Sequence, residues 1–142
     1  MKKGQIRAIA ICLFRKNDLI LVCEGFDELK QEYYYRPIGG GLEYGETSSH
    51  ALKREVLEEI GASITNEKFL GAIENIFTYN GDLGHEIAFV YDAEFVDKSF
   101  YEKPSFMGVE DNGVPFKLYW KPISEFKNKK IVLVPEQLLT LL

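Results

Sequence analysis

Four glutamates, Glu46, Glu55, Glu58 and Glu59, stand within fourteen residues of one another, downstream of the glycines Gly39, Gly40 and Gly41. Taking Thr47 or Ser48 as the cap and Gly61 as the stop, the run between them predicts a helix of roughly four turns. Counted at about 100° per residue from Ala51, Glu55 falls at about 40°, Glu58 at about −20° and Glu59 at about 80°, while Leu52, Val56 and Ile60 fall between about 100° and 180°. One flank is therefore acidic and the adjoining one apolar. Glu55 and Glu59 are like charges at i,i+4, which costs a helix roughly 0.2–0.5 kcal/mol, and no lysine shares their face. Arg54 lies to the side, within reach of Glu58 and of Glu46. One arginine does not neutralise four acids, so the cluster calls for a cation. Ala51, small and central on this face, predicts that the face is open to an ion or ligand. Oxygen-only ligands at helical spacing suit Mg²⁺, or Mn²⁺, better than zinc, and hard divalent ions of this kind complete their shell with water and phosphate oxygens. Glycines before the helix let backbone groups approach such a ligand closely. The chemistry indicated is metal-assisted reaction at a phosphate.

In Gly40–Ala62, Gly, five residues, Glu, seven residues, Arg-Glu, an aliphatic residue, any residue, Glu-Glu, any residue and Gly follow in order, carried by Gly40, Glu46, Arg54, Glu55, Val56, Glu58, Glu59 and Gly61. This resembles the Nudix box. Only Ala62 departs, being smaller than the usual Ile, Leu or Val. A chance match of the seven Gly, Glu and Arg positions is on the order of 10⁻⁸ per starting position, so the resemblance is specific.

The resemblance implies hydrolysis of a nucleoside diphosphate linked to another moiety, by water attack on phosphorus with Mg²⁺ bound. Carried over by position, Glu55, Glu58 and Glu59 bind metal with the Gly39 carbonyl as a further oxygen, Glu58 binding metal or assisting the water. Arg54 orients the acids. Glu46 is either a structural partner of Arg54 or an outer metal ligand. Some family members carry an acid directly before the tryptophan of a late strand; here that residue is Tyr119, before Trp120, and Glu110 and Asp111 are the substitutes. Arg7, Arg36, Tyr79, Gly40 and Gly41 are the candidate substrate contacts, with Tyr33, Tyr34, Tyr35 and Phe77 as further aromatics. Tyr79 stands where dinucleoside polyphosphate hydrolases of the family tend to carry Tyr, and no proline stands between Pro37 and Pro104, which disfavours ADP-ribose. Two rival readings remain. One is a catalytically silent nucleotide-binding or sensor module, which would be expected to lack box acids that this chain keeps. The other is isomerase chemistry on an isoprenyl diphosphate, which wants a catalytic cysteine, whereas Cys12 and Cys23 lie in apolar, strand-like stretches.

Elements that must position these residues follow from the rest of the chain. At 142 residues and 46% hydrophobic content the sequence is sized for one domain, 1–142. A net charge of −5 and the lack of basic runs beyond Lys127–Lys130 argue against nucleic-acid polymers and anionic membranes as partners. The expected partner is a small-molecule nucleotide, and monomer and homodimer stay open. Met1-Lys2-Lys3 before Ile9–Phe14 has the order of a leader, but Arg7 and Arg15 bracket the apolar run, so it reads as a strand. No apolar run is long enough to span a bilayer, and two cysteines in strands predict reduced thiols in the cytoplasm. Ile6–Phe14 and Leu19–Cys23 predict a hairpin about Lys16-Asn17-Asp18, and Phe69–Tyr79 with Glu86–Phe95 a second about Asn80-Gly81-Asp82. Residues 97–112 read as a long loop, 116–120 as a strand and 135–142 as a terminal helix. The expected fold is α/β, a mixed sheet between helices, resembling the Nudix α/β/α sandwich.

Overall fold

A computed structural model describes residues 4–142; the leader-like Met1-Lys2-Lys3 lies outside the described residues. Nine strands and two α-helices follow in the order β1 (Ile6–Cys12), β2 (Arg15–Lys16), β3 (Leu19–Asp27), β4 (Glu32–Arg36), β5 (Ile38–Gly41), α1 (Ser48–Ile60), β6 (Ile64–Tyr79), β7 (Asp82–Phe95), β8 (Ser105–Val109), β9 (Pro115–Pro122) and α2 (Ile123–Lys127). Short 3₁₀ turns cover Lys98–Tyr101 and Glu136–Leu141.

The strands form two sheets. A mixed sheet runs β5-β1-β7-β6, with β1 parallel to β7 and its other pairs antiparallel. An antiparallel sheet runs β2-β3-β9-β8, with β4 also paired to β3. Alternation along β1 and β3 sorts the cores. Ala10, Cys12, Leu21 and Cys23 face a core roofed by Leu52 and Val56 of α1. Ile9, Ile11, Ile20 and Val22 face a second core closed by Phe126 of α2 and Leu138 of the last 3₁₀ turn. Helical elements thus cover both faces of a strand layer, the α/β sandwich read from the sequence.

Helix α1 has the predicted ends. Thr47 caps it by accepting from the His50 amide at 3.2 Å, and Gly61 closes it at φ 67°. Its open-face expectation is corrected: Ala51 is fully buried and Glu55 is only 4% exposed, so the acidic flank is partly roofed by β5 and β1. The β6–β7 hairpin turns at Asn80-Gly81, φ 49° and 82°, as its Asn-Gly pair demands.

The first predicted hairpin is corrected. Only Arg15–Lys16 pairs with Leu19–Ile20, while β1 leaves for the other sheet, where its all-apolar run finds burial on both faces. The glycine turn before α1 is likewise strand β5, with Gly39 opposite Ile11 and Gly41 opposite Ile9. The loop expected over 97–112 holds a 3₁₀ turn and strand β8, and the basic run at Lys127 ends helix α2. These segments are too short, or too rich in glycine, to carry a local periodic signal.

Below α1, Phe14 stacks on Phe95 with ring centroids 4.0 Å apart, Phe95 on Phe100 at 4.9 Å, and Tyr101 on Trp120 at 5.6 Å. Tyr101 Oη accepts from the Phe95 amide, and Trp120 Nε1 donates to the Phe100 carbonyl. This aromatic stack joins the 97–101 turn to both sheets. Gly108 of β8 lies against Ile60 and Phe116, which seats the β8–β9 hairpin, close to its turn, under the end of α1.

Candidate active site

Arg54 is the hub of the acidic helix flank. Its Nε and Nη2 donate to both Glu46 oxygens, at 2.7 and 2.8 Å, and Nη1 donates to Glu55 at 2.9 Å and Glu58 at 3.3 Å. Nη2 also donates to the Gly41 carbonyl at 3.0 Å. Glu46 turns back further to accept from the Glu43 amide at 2.8 Å. The guanidinium, then that amide, hold the Glu46 carboxyl down to about 2. Geometry therefore puts the Glu46 carboxylate on Arg54.

Glu55 sits at the centre. Gly40 lies flat against its carboxylate, because a Cβ there would stand 2.5 Å from the carboxyl carbon. Gly39, at φ 153°, is held so close to the Ala10 carbonyl that no side chain fits. Beside Glu55, burial and then the Glu55 carboxylate push the Glu59 carboxyl upward, with Arg36 opposing. Two acids are thus crowded together, Glu55 bonded to Arg54 and Glu59 opposed only by the field of Arg36.

Carboxylate oxygens of Glu55, Glu58 and Asp111 all lie within 4.8 Å of one another. Asp111 comes from the β8–β9 tip, which reaches across to α1. Its neighbour Glu110 turns the other way, to Arg36 Nη2 at 3.2 Å. Of the two loop acids, Asp111 lies with Glu55 and Glu58 and Glu110 does not. Three hard oxygens from two elements, one of them buried, fit a divalent cation of the Mg²⁺ or Mn²⁺ kind. The set holds neither His nor Cys. Glu59, expected among the metal ligands, lies one turn on from Glu55 on the cleft side of the group.

A cleft of about 1240 Å³ opens from Glu55 and Glu59 between the sheets. Gly39, Gly40, Gly41, Arg7, Arg36, Tyr34, Phe77 and Tyr79 all line it, so the substrate contacts expected from sequence share one cavity. Arg7 lies against Gly41 and 3.8 Å from Glu86, whose carboxyl burial pushes upward and Arg7 opposes. Tyr34 meets Tyr79 edge to face, centroids 5.9 Å apart, and its ring lies flat over Gly25 across the strand pair. Phe77 lies over Gly84 in the same way. Tyr33 and Tyr35 are drawn elsewhere: Tyr33 packs on Phe26 and is exposed, and Tyr35 is buried with Phe126. His50 is exposed and Glu94 accepts from Asn66 on the surface.

The cleft ends where two hairpin tips join, the four residue steps along β4 from Arg36 to Glu32 spanning about 13 Å. The Glu28 amide donates to Asn80 Oδ1 at 2.9 Å, the Asn80 amide to Asp27 Oδ2 at 3.3 Å, and Lys30 Nζ to the Thr78 carbonyl at 3.0 Å. Asp27 is 3% exposed and its carboxyl is held below the usual range, chiefly by the Lys30 amide. Neither this clasp nor the lining by Gln137 and Thr140 of the terminal turn was visible in sequence. Both arise from contacts at least 48 residues apart in sequence, which no local motif encodes.

Comparison with known proteins fits this geometry. The family model described as the NUDIX domain matches residues 4–139. Among solved structures, a NUDIX hydrolase from Nitrosomonas europaea is similar at TM-score 0.62 and 22% identity, over 96% of this chain and 86% of that one. A MutT protein from Bacillus halodurans is similar at TM-score 0.59 and 18% identity, over 95% and 79%. At these identities the structures speak for the fold. No curated protein matches the sequence.

Proposed function

Since the chain belongs to the NUDIX family and is a Nudix pyrophosphohydrolase, we propose that it hydrolyses a nucleoside diphosphate linked to another moiety in a reaction that depends on Mg²⁺, Mn²⁺ serving in its place. The observation that carries the reading is the meeting of Glu55, Glu58 and Asp111 oxygens at the mouth of a large cleft. Glu55, Glu58 and Glu59, with the Gly39 carbonyl from the same wall, are the residues proposed to hold the metal, and Asp111 adds to them. When bound, the metal neutralises phosphate charge and polarises the attacking water.

The protein's own part is to place and to exclude. Arg54 fixes the direction of Glu55 and Glu58, and Glu46 fixes Arg54. The flat wall at Gly40 and Gly41 lets a diphosphate lie against backbone, between Arg7 and Arg36. Tyr34, Phe77 and Tyr79 offer aromatic faces to the nucleobase. Water attacks phosphorus, a P–O bond forms as the anhydride P–O bond breaks, and the water's proton passes to the acid cluster. The cleft exceeds the usual range of about 300–1,000 Å³ for small-ligand sites, which suits a nucleotide carrying a second group. Two buried free cysteines support placing the protein in a reducing compartment, the cytoplasm.

The test is phosphate release from nucleoside triphosphates, oxidised nucleotides, ADP-ribose and dinucleoside polyphosphates with Mg²⁺, beside Glu59→Gln. Turnover of one class, reduced by orders of magnitude in the variant, supports the reading. Silence across the panel with nucleotide binding intact overturns it in favour of a sensor.

A further inference from the structure

Arg36 and Glu110 stand outside the acidic cluster, but Glu110 is the direct chain neighbour of Asp111, which belongs to it. Tip residues 110–114 are folded by their own bonds: the Glu110 amide donates to the Val114 carbonyl, Gly113 to Glu110, and Val114 to Asn112 Oδ1. Among the described residues, the Arg36–Glu110 pair at 3.2 Å is the one ion pair or hydrogen bond that ties this tip to another element. Asp111 makes none to the other described residues. It is instead set beside Glu55 and Glu58, where repulsion alone would drive the tip away. The hairpin is seated on Ile60 through Gly108, one pair below the turn, while Val109 before the tip and Val114 within it are exposed.

Arg36 is well placed as the fixed half of such a tie. It ends β4, opposite Cys23 of β3, and its carbonyl accepts from Cys23 Sγ at 3.4 Å. Pro37 then passes the chain into β5, whose Gly40 abuts Glu55. One short segment therefore holds both the wall against Glu55 and the grip on Glu110.

We infer that Glu110 and Arg36 are positioning residues for the metal site, clasping the β8–β9 tip so that Asp111 reaches the cation held by Glu55 and Glu58. This rests on the metal reading above. The clasp acts through geometry, and charge alone predicts the opposite for one of its members. Removing the Arg36 cation would tighten cation binding by Coulomb's law, whereas loss of the clasp weakens it.

The experiment is Mn²⁺ binding to the nucleotide-free full chain, followed by electron paramagnetic resonance, with thermal melting to show each variant folded. Arg36→Gln and Glu110→Gln are each expected to weaken Mn²⁺ about two- to fivefold, the range an exposed ion pair can supply. Arg36→Lys retains most of the affinity. In an Asp111→Asn background, itself weakened, Glu110→Gln has no further effect, because it acts through a group already disabled. Tighter binding in Arg36→Gln, additive losses in the double variant, or unchanged affinity in Asp111→Asn overturns the clasp while leaving the metal site standing. Glu55→Gln separates the two ideas: undiminished Mn²⁺ binding in that variant overturns the site and the clasp together.

Discussion

Gly40 and Glu55 are in direct contact, the backbone of one pressed on the carboxylate of the other with no space for a methyl group between them. Gly40→Ala must therefore move the Glu55 carboxylate or part β5 from α1. Overpacking of this kind costs roughly 1–3 kcal/mol. The expected result is a lower melting temperature and at least a tenfold fall in kcat/KM. Wild-type kinetics in a folded Gly40→Ala chain would show that Glu55 need not lie where it does.

Arg54→Ala leaves Glu55, 5% exposed in its side chain, without a cation and frees Glu46 and Glu58 to repel it. Leaving a buried charge unpaired costs up to about 3–5 kcal/mol, and the partial exposure of Arg54 and Glu58 puts this case at the lower end. Arg54→Lys restores charge but not the fork that spans Glu46, Glu55 and the Gly41 carbonyl. Urea unfolding of the two variants should rank wild type above Lys and Lys above Ala. Equal stability of Lys and Ala would mean that charge contributes nothing there.

Glu46 gives a pH signature. Its carboxyl is held down to about 2 in the folded chain, below the ordinary value of an unfolded glutamate. The stability it adds is fully present above that ordinary value and is lost as pH falls through about 2. Glu46→Gln keeps a hydrogen-bonding side chain but cannot titrate. Between about pH 5 and 2, wild type should lose stability more steeply than Glu46→Gln in parallel urea melts. Parallel slopes would place Glu46 in water rather than on Arg54.

Mg²⁺ or Mn²⁺ bound to the folded state alone raises stability by about 2.7 kcal/mol at one hundred times its dissociation constant. Thermal melts in millimolar Mg²⁺ should shift upward, and a chelator should reverse the shift and abolish turnover. Glu55→Gln should erase the shift. A melting temperature indifferent to metal in the wild-type chain would count against a pre-formed site.

Phe95→Ala tests the aromatic stack that carries the 97–101 turn. Phe95 is fully buried among Phe14, Phe100 and Tyr101. Its truncation should cost about 3–5 kcal/mol in chemical unfolding. A loss below about 1 kcal/mol would mean that the stack collapses to fill the space.

What the sequence disclosed is what is encoded within about fifteen residues. The caps of α1, the Asn80-Gly81 turn, the apolar stripe through Leu52 and Val56, and the reach of Arg54 to Glu46 and Glu58 are all local geometry. The partner of β1 was not legible, because the apolar run from Ala8 to Cys12 suits either sheet and only the parallel neighbour β7, seventy residues on, decides it. Ala51 misled for a related reason: a small side chain at the centre of an acidic flank serves an open face and a close helix–strand approach equally well. Glu110 and Asp111 were indistinguishable as adjacent loop acids. The hairpin that separates them, one toward Arg36 and one toward Glu55, exists only once β8 pairs with β9.

The knot of Asp27, Glu28, Lys30, Thr78 and Asn80 sits on two hairpin tips that share no residue with the helix of glutamates. Insertions or exchanges at these tips would alter the length and chemistry of the cavity's remote wall while the end at Glu55 and Glu59 kept its form. The far wall of the cavity and the acidic helix flank are thus inherited on separate stretches of chain, so that either can be rebuilt while the other stays as it is.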